Sequence, residues 1–215
     1  MALAYDNSTD MGSPVSASSY TFSHTINGVS NLILLVGVQV ESGSDSVTGI
    51  TYNGVSMTRA KLQVSVNSDE TLYLYYLIAP ATGANNVVIS LSSSILAKAV
   101  AASYTGAKQS GQPDSSSGAT NASANTLTLT TTVVAANCWL VGYGGFAAGG
   151  TISAGAGTTL RASNGPKGWF DSNASVGVGS QSLIYNESQT NEITGVIASI
   201  PPASPSGGGL FFEQF

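Results

Sequence analysis

Charge is what this chain has least of. Of its 215 residues only 8% are charged, six basic and eleven acidic, for a net charge of −5. Soluble domains usually carry about 25%. The six cations, Arg59, Lys61, Lys98, Lys108, Arg161 and Lys167, form no run. Tight binding to a phosphate backbone needs many cations, so no nucleic-acid partner is expected. One histidine and one cysteine are too few for a zinc site of those ligands. Cys138 has no second cysteine with which to close a disulfide. No apolar stretch approaches the roughly 20 residues of a membrane-spanning helix, so no membrane span is expected. The opening MALAYDNSTD has neither a charged n-region nor an apolar h-region. The expectation is a protein that works without Sec export, or one whose leader has been removed. No cofactor and no metal are expected.

Hydrophobic residues make up 42% of the chain, enough for a core. Ser, Thr, Gly, Asn and Ala fill the place of the missing charges. Short side chains lose little entropy on burial. Such surfaces suit close-packed assemblies, secreted proteins and virion shells.

The apolar pattern has a period of two almost throughout. YTFSHTI puts Tyr20, Phe22 and His24 on one face. NLILLVGVQVE is a longer apolar run and reads as a central buried strand. Asn53-Gly54 lies between two β-prone arms, the strongest short-range hairpin signal. ILAKAVAASYTG is alanine-rich, yet its flanking strands and Gly106 favour a strand in a crowded core. AKQSGQPDSSSGATNASAN reads as a polar loop, on the surface or as a crossover between two groups of strands. TLTLTTTVV resumes alternation, and NCWLVGYGGF, TTLRAS, GWFDSN, VGVGSQSLIYN and EITGVIASI complete the inventory. About ten to twelve short strands and no convincing helix predict an all-β, antiparallel, jelly-roll-like sandwich. Because neither strand group alone looks able to close a pair of sheets, residues 1–200 are read as a single β-sandwich domain. Residues 201–209, PPASPSGGG, follow as a Pro/Ser/Gly linker, and residues 210–215 as a flexible apolar docking tail.

Candidate chemistry is sparse. A Ser-His-Asp triad would have to use His24, which lies mid-strand with no acidic residue beside it, so the chain is not expected to be an enzyme. Glycoside hydrolysis needs two carboxyl groups across a cleft. The acidic residues Glu41, Asp45, Asp69, Glu70, Asp171, Glu187 and Glu192 read mostly as solvated loop or strand-end residues. Calcium between loops has no supporting Asp-x-Asp-x-Asp pattern. Cys138 sits in an apolar run and reads as a small buried hydrophobe. Trp169 and Phe170, beside a Gly-Pro turn, are the candidates for contact with a ligand, a glycan or a partner.

Three stretches in order, GITYNGVSMTR, LYLYYLIAPATGANNVVISLS and SYTGAKQSGQPDS, followed by NCWLVGYGGF, resemble a β-sandwich family of bacteriophage structural proteins and bacterial or metagenomic surface proteins. The resemblance covers roughly residues 20–200 and implies a jelly-roll-like structural or adhesive module. It brings no catalytic motif. The expected function is a non-enzymatic structural protein of a phage-like virion: a head-decoration, turret or tail-associated component. Its partners would be copies of itself and other virion proteins, and its place the virion. Two alternatives stand beside it: an extracellular or cell-surface adhesive or filament-forming subunit, and a carbohydrate-binding module that takes a surface glycan.

The sequence ends GGGLFFEQF. Burying Leu210, Phe211, Phe212 and Phe215 stabilises by about 6–12 kcal/mol. Ordering six residues costs about 6–12 kcal/mol for the backbone alone. The near cancellation predicts that this tail docks with backbone pairing to a sheet edge, or in several copies at once; the flexible glycines give it the reach to a neighbouring subunit, and a C-terminal strand completing the chain's own sheet is the alternative.

Overall fold

The computed structural model describes residues 2–146 and 149–204. The assembly segment Leu210, Phe211, Phe212 and Phe215 lies outside the described residues.

Fifteen strands are present among the described residues. The first nine are β1 (Ala4–Asp10), β2 (Ala17–Ile26), β3 (Ile33–Val40), β4 (Val47–Tyr52), β5 (Val55–Ser56), β6 (Thr58–Val64), β7 (Thr71–Ile78), β8 (Gly83–Ile95) and β9 (Ala97–Thr105). They form a central sheet in the order β1-β9-β3-β7-β6 and a front sheet in the order β2-β8-β4-β5. The pairings nest: β1 with β9, β2 with β8, β3 with β7, β4 with β5. This is a long antiparallel ribbon wrapped so that its arms pass between two sheets, which makes the all-β sandwich a jelly roll. The ribbon turns at Asn53-Gly54. Both residues have positive φ, 49° and 76°, as a two-residue hairpin requires. After β5 the chain crosses to the edge of the central sheet as β6.

Period-two patterning explains the layers. In β2, Tyr20, Phe22, His24 and Ile26 are buried and alternate with exposed or half-buried residues. All eight residues of β3 are buried. Leu34, Val36, Val38 and Val40 face the front sheet, while Ile33 and Leu35 face the other way. The alanine-rich stretch is indeed a strand, β9. Its Ala97, Ala99 and Ala101 meet the front layer, and Val100, Ala102 and Tyr104 the opposite one.

The second half contributes β10 (Ser115–Val133), β11 (Trp139–Phe146), β12 (Ile152–Ala154), β13 (Thr159–Asn164), β14 (Lys167–Asp171) and β15 (Gly179–Ile200). They form a back sheet, β10-β15-β11-β14-β13, with β12 paired to β15. It packs on the far face of the central sheet, so the sandwich has three layers. Residues 4–105 close a pair of sheets by themselves, against the expectation that neither group could. The core between central and back sheets then joins the two groups.

The polar segment read as a loop is also corrected. Only its first part is irregular; from Ser115 onward it is strand. It has no apolar alternation because its pairing with β15 is dressed with hydroxyls: Ser115 Oγ with Ser199 Oγ at 2.9 Å and Thr120 Oγ1 with Thr194 Oγ1 at 3.0 Å. The ribbon of β10 and β15 then bends at register shifts between Asn121 and Thr126 and lies back over its own sheet. Thr131 Oγ1 donates to Ser115 Oγ at 2.9 Å, and Tyr185 Oη donates to the Thr194 carbonyl at 2.8 Å. The fold-back carries Leu127, Leu129, Val133, Leu183 and Tyr185 onto Leu140, Phe170 and Ile197. Close approach requires glycine beneath it: a Cβ at Gly195 would stand 2.7 Å from Tyr185 Oη.

The first residues of the segment read as a linker, 201–203, are instead held against the body. Pro202 bridges to Ala107, and the Ala203 amide donates to the Gly106 carbonyl at 2.7 Å.

Candidate functional site

Trp169 and Phe170 are wholly buried, which corrects their reading as exposed contacts for a ligand or partner. They follow a Gly-Pro turn, but β14 lies between β11 and β13 and is covered on both faces. Trp169 points into the core between central and back sheets, and Phe170 stacks on Tyr185 beneath the fold-back, with ring centroids 5.0 Å apart.

Trp169 belongs to a polar network that crosses layers. Its Nε1 donates to Tyr104 Oη at 2.8 Å, and Tyr104 Oη donates to Asp171 Oδ2 at 2.9 Å. Arg161 closes the same carboxylate from β13, with Nε 2.7 Å from Oδ2 and Nη2 3.0 Å from Oδ1. Its guanidinium also stands 4.2 Å over the Tyr5 ring, a cation–π contact that ties β13 to β1. Burial, then the adjacent Asp171 carboxylate, holds the Tyr104 phenol well above its usual range.

A second network lies between the same sheets. Lys167 Nζ stands 2.9 and 2.7 Å from the two carboxylate oxygens of Glu70, and both residues are buried. Burial lowers the lysine's pKa and raises the glutamate's, and each partner opposes the other's shift. Glu192 of β15 accepts from the Asn67 amide and side chain at 2.8 and 2.7 Å, holding the β6–β7 turn.

Four acidic residues read as solvated, Glu70, Asp171, Glu187 and Glu192, are therefore buried. The reason is tertiary. Glu70 and Asp171 sit beside or at a strand end, Glu187 and Glu192 lie inside β15, and Glu70, Asp171 and Glu192 each have a donor waiting there. Asp45 is the contrasting case, paired with Arg59 at the surface.

His24 is buried against the central sheet. Its Nε2 lies 3.1 Å from Ser103 Oγ, Ser103 Oγ donates to Asp6 Oδ2 at 2.7 Å, and Thr9 Oγ1 lies 3.0 Å from Nδ1. An acid, a serine and a histidine thus meet, which the local sequence around His24 does not announce. The order differs from a catalytic relay: the carboxylate holds the serine, not the imidazole. Burial lowers the His24 pKa to about 4, against the opposing pull of Asp6, so the ring is neutral at pH 7. Cys138 is the buried hydrophobe expected. Burial, then Asp114, pushes its thiol up to about 12, far from a reactive thiolate.

A concavity with a mostly apolar lining lies where the described chain leaves the body. It has a volume of about 600 Å³ and is lined by Ala2, Leu3, Asn137, Trp139, Ala174, Ser175, Pro202 and Ala203. A smaller lobe of about 260 Å³ shares Asn137, Pro202 and Ala203 and adds Lys108, Ala135, Ala136, Pro201 and Ser204. Trp139 opens β11 and packs edge-on against Tyr104 at 6.1 Å. Pro202 is held by its bridge to Ala107. Sequence reading missed this groove because its walls come from five separated segments. A different concavity, about 390 Å³, lies beside the hairpin turn and is lined by Thr51, Asn53, Gly54, Ala84, Asn85, Asn86 and Val88. Among the described residues no group of three or more His, Cys, Asp or Glu could hold a metal ion, and no helix is long and apolar enough to cross a membrane.

No protein-family model matches the chain, and no curated protein matches its sequence.

Proposed function

We propose that this chain is a non-enzymatic structural protein of a phage-like virion, a head-decoration, turret or tail-associated component that assembles through contacts with copies of itself and other virion proteins. The observation that carries this reading is where the reactive side chains sit. His24 is neutral and bonded to Ser103; Glu70 holds Lys167; Asp171 holds Arg161 and Tyr104. These groups join layers of the body, and the apolar groove beside Ser204 is walled by other residues. A fold by itself assigns no function, but the jelly roll is an architecture of capsid and lectin domains. A surface of small neutral residues suits close packing. The resemblance of the hairpin and YYLIAPATG stretches to phage structural proteins agrees with both.

The test is antibody labelling and quantitative mass spectrometry of purified particles. The chain should be found in many regular copies per particle. Recovery in cell-envelope fractions alone would favour the surface-subunit reading instead.

One observation favours a second reading, a glycan-binding module. The concavity beside the hairpin turn is lined by Asn53, Asn85 and Asn86, amides suited to sugar hydroxyls. Since Trp169 is buried, the glycan-array test belongs to Asn86→Ala. Binding that this change abolishes would support the module.

A further inference from the structure

We propose that the apolar groove beside Ser204 receives residues 210–215 of a second copy of this chain, two copies exchanging tails across one two-fold contact. This names the partner in the assembly proposed above and rests on that reading.

Four observations converge on it. The larger lobe is mostly apolar, with Leu3, Trp139 and Pro202 on its walls, and the groove's two lobes share Pro202 and Ala203. Val134, next in sequence to the lining residue Ala135, is an apolar side chain 68% exposed. The described chain ends inside this feature, because Ser204 lines the smaller lobe. Leu210 follows six residues later, a reach of about 20 Å when extended. Pro205 biases Ser204 toward extended backbone.

The third observation is charge. Lys108 is the cation lining the smaller lobe, is exposed, and makes no ion pair among the described residues. The LFFEQF segment carries one charged side chain, Glu213. The fourth is symmetry. Donor exit and acceptor groove lie on one patch. A two-fold contact between such patches places each tail on the other's groove and closes, whereas separated patches would propagate into a fibre.

The test is sedimentation equilibrium of three full-length proteins: the unaltered chain, the tail variant Phe211→Asp/Phe212→Asp, and the groove variant Ala174→Glu. Ala174 is exposed, so that change leaves the body intact. The unaltered chain should have the mass of two copies and each variant the mass of one. Mixing the two variants should restore a pair, since one supplies a sound groove and the other a sound tail. An unaltered chain that stays monomeric overturns the exchange, including when the tail variant alone shifts Trp139 fluorescence, which would mean the tail occupies its own groove. A pair that survives both variants also overturns it. Particles that incorporate both variants normally would overturn tail exchange as the assembly contact while leaving the structural role standing. Paired protein absent from particles would uphold the exchange and overturn the virion role.

Discussion

The two faces of the central sheet are built differently. Toward the front sheet the contact is almost all hydrocarbon and phenol: Leu34, Val36, Val38, Tyr52, Val87 and Ile89. Its one imidazole, His24, is kept neutral. Toward the back sheet the apolar core is threaded by two ionic networks, Glu70–Lys167 and Asp171–Arg161–Tyr104. Apolar contact is non-directional. Buried ions carry a desolvation cost that only correct geometry offsets. The front contact therefore supplies cohesion, and the back contact also fixes how the second half seats on the jelly roll. Nested pairing already sets the register of the first nine strands. Among the described residues the back sheet shares no ladder with them, so beyond the backbone pairing of Gly106–Lys108 with Pro201–Ala203 its alignment depends on side chains.

That contrast can be broken, beginning with the largest effect. Lys167→Met leaves Glu70 buried without its cation and should cost about 3–5 kcal/mol in urea unfolding. The double change with Glu70→Leu should recover most of that loss. A double variant as unstable as the single would show that the pair's charge is not the issue. On the dry face, Leu34→Ala should cost about 2–5 kcal/mol by leaving a cavity, with no dependence on pH or salt.

His24 gives the next effect. Its folded-state pKa is about 4 against an ordinary 6.5, so below pH 6.5 the unfolded chain binds the proton more readily. The stability it contributes is complete above pH 6.5 and is lost as pH falls through the folded value, roughly 3 kcal/mol in all. Unfolding midpoints across pH 4–7 for the unaltered chain and His24→Gln should diverge, with the variant flatter in that window. The smallest effect belongs to the surface. Arg59→Ala breaks a pair whose side chains are 40% and 48% exposed, and its stability change should stay within about 1 kcal/mol.

Much of the architecture was legible because strand patterning is local. Alternation at Tyr20–Ile26, the unbroken apolar run of β3 and the Asn53-Gly54 turn each declare themselves within ten residues. The folded ribbon did not, because Ser115–Asn125 becomes strand only through pairing with β15, a partner some seventy residues away. The count of ten to twelve strands fell short for a related reason: β5 and β12 are two and three residues long. Trp169 misled because neighbouring Gly and Pro mark a turn without saying what covers the strand after it. Lys167 carried a faint signal, a single cation next to the apolar Trp169-Phe170 pair in Gly-Pro-Lys-Gly-Trp-Phe. The groove carried none, since Leu3, Trp139, Ala174 and Pro202 are far apart in sequence.

The most direct test of a structural role is electron cryomicroscopy of an intact particle that contains this chain. The account predicts three-layered bodies in a repeating array, with neighbouring copies in contact around the groove beside Ser204. Isolated copies bearing no regular relation to one another, or to a particle lattice, would contradict it.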